Sequence, residues 1–128
     1  LIIRYQGDHE YAVEARGHKI TVGLTPELGG TDKGMMPPEL FAASFGSCIG
    51  VYVVSYLQKV GIPAEGMTIE VTYDKVTEPK TRIGGLRAVI NIPGGVPEER
   101  RSAVLRAAEN CMIHNTLGHP PQVEVKLA

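Results

Sequence analysis

The chain has 128 residues, enough for one domain with a core of its own and not for two. Its 13 Lys and Arg nearly balance 14 Asp and Glu, and with two Phe, five Tyr and no Trp it offers neither the charge nor the stacking surfaces of a nucleic-acid binder. Two cysteines, at 48 and 111, fit no zinc spacing and are too few for a disulfide scaffold, which points to a reducing, cytoplasmic setting and to no metal or organic cofactor.

In chain order, Leu1 to Gln6 and Tyr11 to Ala15 alternate as short strands around a turn at Gly7 to Glu10. His18 to Leu24 follows as a third strand after a tight connection at Arg16 and Gly17. Thr25 to Met36 turns to Gly, Pro and charge and reads as a loop. Pro38 and Glu39 open a helix, and Gly61 and Pro63 close it near Val60. Met67 to Val76 is a clean strand, and Arg82 to Ile92 is a second with a bulge expected at Gly84 and Gly85. Pro97 to Arg100 starts a helix running to about Leu117 that carries Cys111 on its buried stripe, and Gln122 to Leu127 alternates as a last strand. The expected architecture is α+β, in the order β-β-β-α-β-β-α-β, with an antiparallel-rich sheet around one long helix in a single domain of residues 1–128.

That helix carries no charge from Leu40 to Leu57 and is apolar on every side. Its length would suit a membrane, but its Ser and Gly content and the absence of basic or aromatic flanks favour a buried helix. One small sheet cannot cover such a helix all round, so a second copy of the chain is expected to complete it as an intimate homodimer.

Cys48 lies mid-helix among Ser44, Gly46, Ser47 and Gly50. Taken alone it is a small buried hydrophobe, and so is Cys111. Taken together, two thiols on inward helix faces suit a peroxide-consuming couple, in which one thiolate becomes a sulfenic acid and the other condenses with it to a disulfide. Such a nucleophile needs a fixed cation, for which Arg4 and Arg16 are the candidates, or else these are solvated strand-edge charges. Glu39 stands nine residues before Cys48, about 13.5 Å along a helix, so it either joins the site from a partner chain or only favours the helix dipole. The C-x-x-H spacing of Cys111 and His114 lacks the further ligands of a metal site.

The segments TPELGG at Thr25 to Gly30, PPELFAASFGSC at Pro37 to Cys48 and NCMIHNTL at Asn110 to Leu117 resemble the osmotically inducible protein C and organic hydroperoxide resistance family. The resemblance implies an intertwined α+β homodimer with two sites at the interface and thiol-dependent reduction of organic hydroperoxides. It puts the reactive cysteine on Cys48 and the second on Cys111. The family's catalytic Glu follows a Pro ten residues before the reactive cysteine, where this chain has Pro38, with Glu39 one place nearer. The Pro usual after the second cysteine is Met112.

The expected function is therefore a peroxidase with Cys48 as nucleophile, Cys111 as resolving thiol, Arg16 as cation and Glu39 as its orienter. An external dithiol would close the cycle, and Phe41, Phe45 and Met112 would line an apolar substrate site. The alternative is a non-enzymatic dimer that binds a small apolar or thiol ligand in the same pocket.

Overall fold

Two hairpin turns, each built from consecutive residues of positive φ, shape the N-terminal sheet. Asp8 and His9 (φ 53° and 58°) fold β1 (Ile2–Gly7) onto β2 (Glu10–Ala15), and Arg16 and Gly17 (51° and 81°) fold β2 onto β3 (His18–Val22). Such pairs make turns whose twist matches that of the strands they join. The structure, a computed structural model, describes residues 1–128 and divides into two compact units, Leu1–Ala42 and Ala43–Ala128.

In the first unit the antiparallel order is β1-β2-β3. Its register places Ile3, Val13 and Ile20 in one cross-strand row and Tyr5, Tyr11 and Val22 in the next, with the two tyrosine rings 5.5 Å apart. The expected loop after β3 is tied down by its own backbone. A 3-10 turn at Pro26–Leu28 ends at Gly29, the Asp32 N–H donates to the Leu24 carbonyl at 2.9 Å, and the Gly23 N–H donates to Met35 at 3.1 Å. Gly34 is required there, because a Cβ would run into the Thr21 carbonyl.

Helix α1 runs from Pro37 to Val60, the expected bounds, and the boundary between the units falls within it. Two prolines fit its first turn because the N–H groups they lack have no partner there. Glu39 supplies a further cap, its Oε1 accepting the Met36 N–H at 2.9 Å. This is the reach-back half of a capping box.

The second unit holds the larger core. Phe45, Ile49, Val53 and Leu57 of α1 meet Val104, Ala108 and Cys111, with Ile69, Val71, Leu86, Ala88 and Ile90 packed around them. The latter come from β4 (Thr68–Val76) and β5 (Arg82–Asn91), an antiparallel pair that alternates core-facing and exposed residues. The register slips between Asp74 and Lys75, opposite Gly85 and Ile83, so Gly84 forms the expected bulge. On the outer face Arg87 grips Asp74 through two bonds of 2.8 and 2.9 Å, which holds the Asp74 carboxyl below the usual carboxylate range.

The glycines of α1 have a packing reason. A Cβ on Gly46 would stand 2.8 Å from Val71 Cγ2, and one on Gly50 would stand 3.4 Å from Ile69 Cδ1, so small residues let β4 lie close against the helix. Gly46→Ala is accordingly expected to destabilise. Its helix-propensity gain of about 1 kcal/mol is outweighed by overpacking of roughly 1–3 kcal/mol, which a lower denaturant midpoint at unchanged slope would register.

Two sequence expectations need correction. The helix expected from Pro97 to Leu117 is broken into α2 (Glu98–Glu109) and α3 (Met112–Gly118), because Cys111 is extended at φ −68° and ψ 151° and serves as the N-cap of α3. The strand expected at Gln122 to Leu127 has no ladder partner within the chain, and residues 120–128 carry no regular structure. Alternation supplies a strand's faces, but only a free neighbouring edge supplies its hydrogen bonds.

Candidate functional site

Cys48 and Cys111, 63 positions apart in the chain, are brought close enough for the Cys48 side chain to influence the Cys111 thiol, and both pack in the same core. Cys48 projects from the middle of α1 and is half-buried, whereas Cys111 is 0% exposed, and both are free thiols. Two local features place Cys111. The α2–α3 break turns its backbone inward, and its Sγ then accepts the His114 N–H at 3.2 Å. Asn115 secures the same corner, donating through its side chain to the Asn110 carbonyl at 3.3 Å.

Burial pushes the Cys111 thiol up. The backbone N–H of His114 opposes this, while the neighbouring Cys48 side chain reinforces it. Cys111 is thus kept as a protonated thiol at neutral pH. The unfolded chain sheds this proton first, near the ordinary thiol value of about 8.5, so the Cys111 contribution to stability is whole below that pH and is lost as pH climbs toward the raised folded value. Denaturant midpoints of the reduced protein should fall more steeply between neutral and strongly alkaline pH than those of Cys111→Ser. Parallel curves would contradict the assignment.

The core in which the thiols pack is apolar. Phe45 is buried beside them, and the His114 ring meets its edge at 6.3 Å and 89°. Met112 is 66% exposed at the start of α3. In the N-terminal unit Phe41 is 38% exposed on the first turns of α1. The cap that Glu39 gives to Met36 uses one carboxylate oxygen, and the side chain is exposed. Arg4 is engaged by Glu14 at 3.4 Å across the β1–β2 pair. Arg16 sits exposed at the β2–β3 turn and forms no ion pair within the chain.

Sequence reading placed both cysteines inward but missed the break that makes Cys111 a cap. Asn110, a common helix terminator, and His114 and Asn115, poor helix formers, were the available signal. The cap on Met36 was likewise signalled by an acidic residue at the third helical position. A separate cavity of about 260 Å³ lies between β5 and α2, lined by Ala88, Ile90, Ile92, Val96, Val104 and Leu105 among others. Neither Cys48 nor Cys111 lines it.

The fold and the site define an α+β protein whose long central helix presents one thiol to a second, sealed thiol. The family described as OsmC-like protein matches residues 30–126, so the chain belongs to the OsmC-like proteins. The structure is similar to that of an osmotic stress induced and detoxification response protein from Psychrobacter arcticus, with a TM-score of 0.82 at 20% identity over 90% of this chain and 85% of that one. It is also similar to the organic hydroperoxide resistance protein OsmC of Legionella pneumophila (TM-score 0.65, 26% identity, 91% and 87% covered). The organic hydroperoxide resistance protein OhrB of Bacillus subtilis gives a TM-score of 0.62 at 21% identity, covering 91% and 88%. No curated protein matches the sequence. The α+β architecture expected from the sequence, with antiparallel sheets and one long helix, is thus the OsmC-like one.

Proposed function

We propose that the chain is a cytoplasmic, homodimeric thiol peroxidase that reduces organic hydroperoxides. The observation that carries this reading is the pairing of Cys48, which solvent reaches, with Cys111, which it does not. The Cys48 thiolate attacks the terminal oxygen of ROOH, the O–O bond breaks, and RO⁻ leaves as the alcohol after taking a proton, with Cys48 oxidised to a sulfenic acid. The Cys111 thiol then attacks that sulfur, expels water and forms the disulfide. An external dithiol supplies two electrons and two protons to restore both thiols.

Two further observations support the cation and the dimer. Arg16 occupies a left-handed backbone position where Gly or Asn is the cheap choice, at a cost of roughly 1–3 kcal/mol. A residue kept under strain and unpaired suits a cation reserved for the site, with Glu39 of the second copy as its orienter. Arg16→Gly is expected to leave stability unchanged or raised while lowering hydroperoxide turnover about 10- to 100-fold; equal turnover would remove Arg16 from the mechanism.

α1 also leaves much of itself uncovered. It is long and apolar enough to cross a membrane by length and composition, yet only 33% of its apolar window is buried within the chain. Ala43, Ser47, Val51 and Ser55 recur on one exposed side at four-residue spacing. The Ser47 and Ser55 hydroxyls donate back to the Ala43 and Val51 carbonyls at 2.8 and 2.7 Å, so this side presents no unmet donor to a second copy. A site lined as the sequence leads one to expect, by Phe41, Phe45 and Met112, would favour bulky hydroperoxides over hydrogen peroxide. The direct test is turnover of cumene hydroperoxide with a dithiol reductant. Absence of turnover in an intact dimer would leave a ligand-binding protein as the better account.

A further inference from the structure

We infer that the Cys48–Cys111 disulfide is opened at the Cys48 sulfur, with Cys111 as the leaving sulfur. The inference rests on the proposed cycle but concerns a step that the cycle leaves open, namely which sulfur the external dithiol strikes. An attacking thiolate must approach in line with the S–S bond, from behind the sulfur it strikes. Behind Cys111 there is only core. Its side chain is 0% exposed within one chain, and assembly with a second copy can only cover it further.

Cys48 differs in each respect. It keeps accessible surface, and Ser44, one turn before it on α1, is exposed. The proposed cycle already requires a hydroperoxide to reach this sulfur, so the same route serves the dithiol. The displaced Cys111 sulfur also has a position to return to, since its own backbone corner offers the His114 N–H at 3.2 Å. Burial makes Cys111 the slower leaving group, but access takes precedence, because a sulfur that no thiolate reaches is not attacked whatever the acidity of its partner.

One thiolate of the dithiol bonds to Cys48, the Cys48–Cys111 bond breaks, and its electron pair leaves on Cys111, which takes up a proton. The second thiolate of the reductant then attacks the reductant's own first sulfur and releases Cys48 as a thiolate, leaving the reductant as a cyclic disulfide. Two electrons pass to the protein.

The experiment uses the full chain oxidised with diamide, so the disulfide forms without any peroxide and the result is separate from whether the protein is a peroxidase. The oxidised protein is mixed with glutathione, which lacks the second thiol needed to release Cys48, quenched in acid at early times, alkylated and mapped by peptide mass spectrometry. The expected result is a glutathione adduct on Cys48 in at least tenfold excess over Cys111, with Cys111 alkylated as the free thiol. An adduct mainly on Cys111, an even split, or no adduct on Cys48 at any time overturns the inference.

Discussion

Cys48→Ser is expected to lower organic hydroperoxide turnover on the order of a thousandfold or more, with the fold intact. Serine preserves the size of the side chain and the packing of α1 against β4, where Gly46 and Gly50 already leave little slack. It removes the polarisable sulfur, and the one other sulfur nucleophile, Cys111, is sealed in the core. Cys111→Ser should behave differently. Without reductant its first turnover proceeds at the normal rate, because Cys48 still attacks, and it stops at the sulfenic acid, which has no resolving thiol within the chain. Rapid mixing with one and then several equivalents of hydroperoxide separates the two variants. Equal loss in the first turnover would mean that Cys111 acts before resolution.

Leu57→Ala carries the largest expected cost in stability. Leu57 is 0% exposed and, with Val53 and Cys111, is among the most deeply buried side chains of the core. Truncating such a leucine costs about 2–5 kcal/mol, against a total stability for a domain of this kind of roughly 5–15 kcal/mol. The midpoint of denaturant unfolding should drop accordingly with the slope unchanged. The site should suffer indirectly, because α1 carries both Leu57 and Cys48 and packs on the segment that holds Cys111. A change below about 1 kcal/mol would mean that the α1–α2 core collapses around the cavity more readily than a close-packed interior allows.

What the sequence revealed and what it withheld follow from the range of the forces involved. Short-range signals were legible. Pro37 and Pro38 at one end of α1 and Gly61 at the other fixed its bounds, alternation fixed β4 and β5, and Gly84 marked the bulge. The break before α3 was not, because the apolar stripe of Val104, Ala108 and Cys111 continues smoothly across it. Periodicity reports which residues are buried and not whether the backbone between them stays helical. Cys111 was therefore placed correctly as buried and wrongly as helical. The last strand failed for a complementary reason. Val123, Val125 and Leu127 alternate as a strand should, but in the single chain all three are exposed and no edge pairs with them.

The site divides in the same way. That Cys48 and Cys111 would meet depended on both lying inward, which their apolar surroundings expressed. The tasks of Arg16 and Glu39 were harder to read. Glu39 caps its own helix through Met36, a local role that fully accounts for an acid at that position. Arg16 showed only as a charge beside a glycine, and its left-handed backbone emerged from the pairing of Ala15 with His18.

The measurement that bears most directly on the account is the intact mass of the native protein after one equivalent of an organic hydroperoxide, with Cys111→Ser alongside. The account predicts loss of two hydrogens and a Cys48–Cys111 crosslink in the wild type, and a gain of one oxygen on Cys48 in the variant. Unchanged masses in both proteins, with the dimer intact, would contradict it.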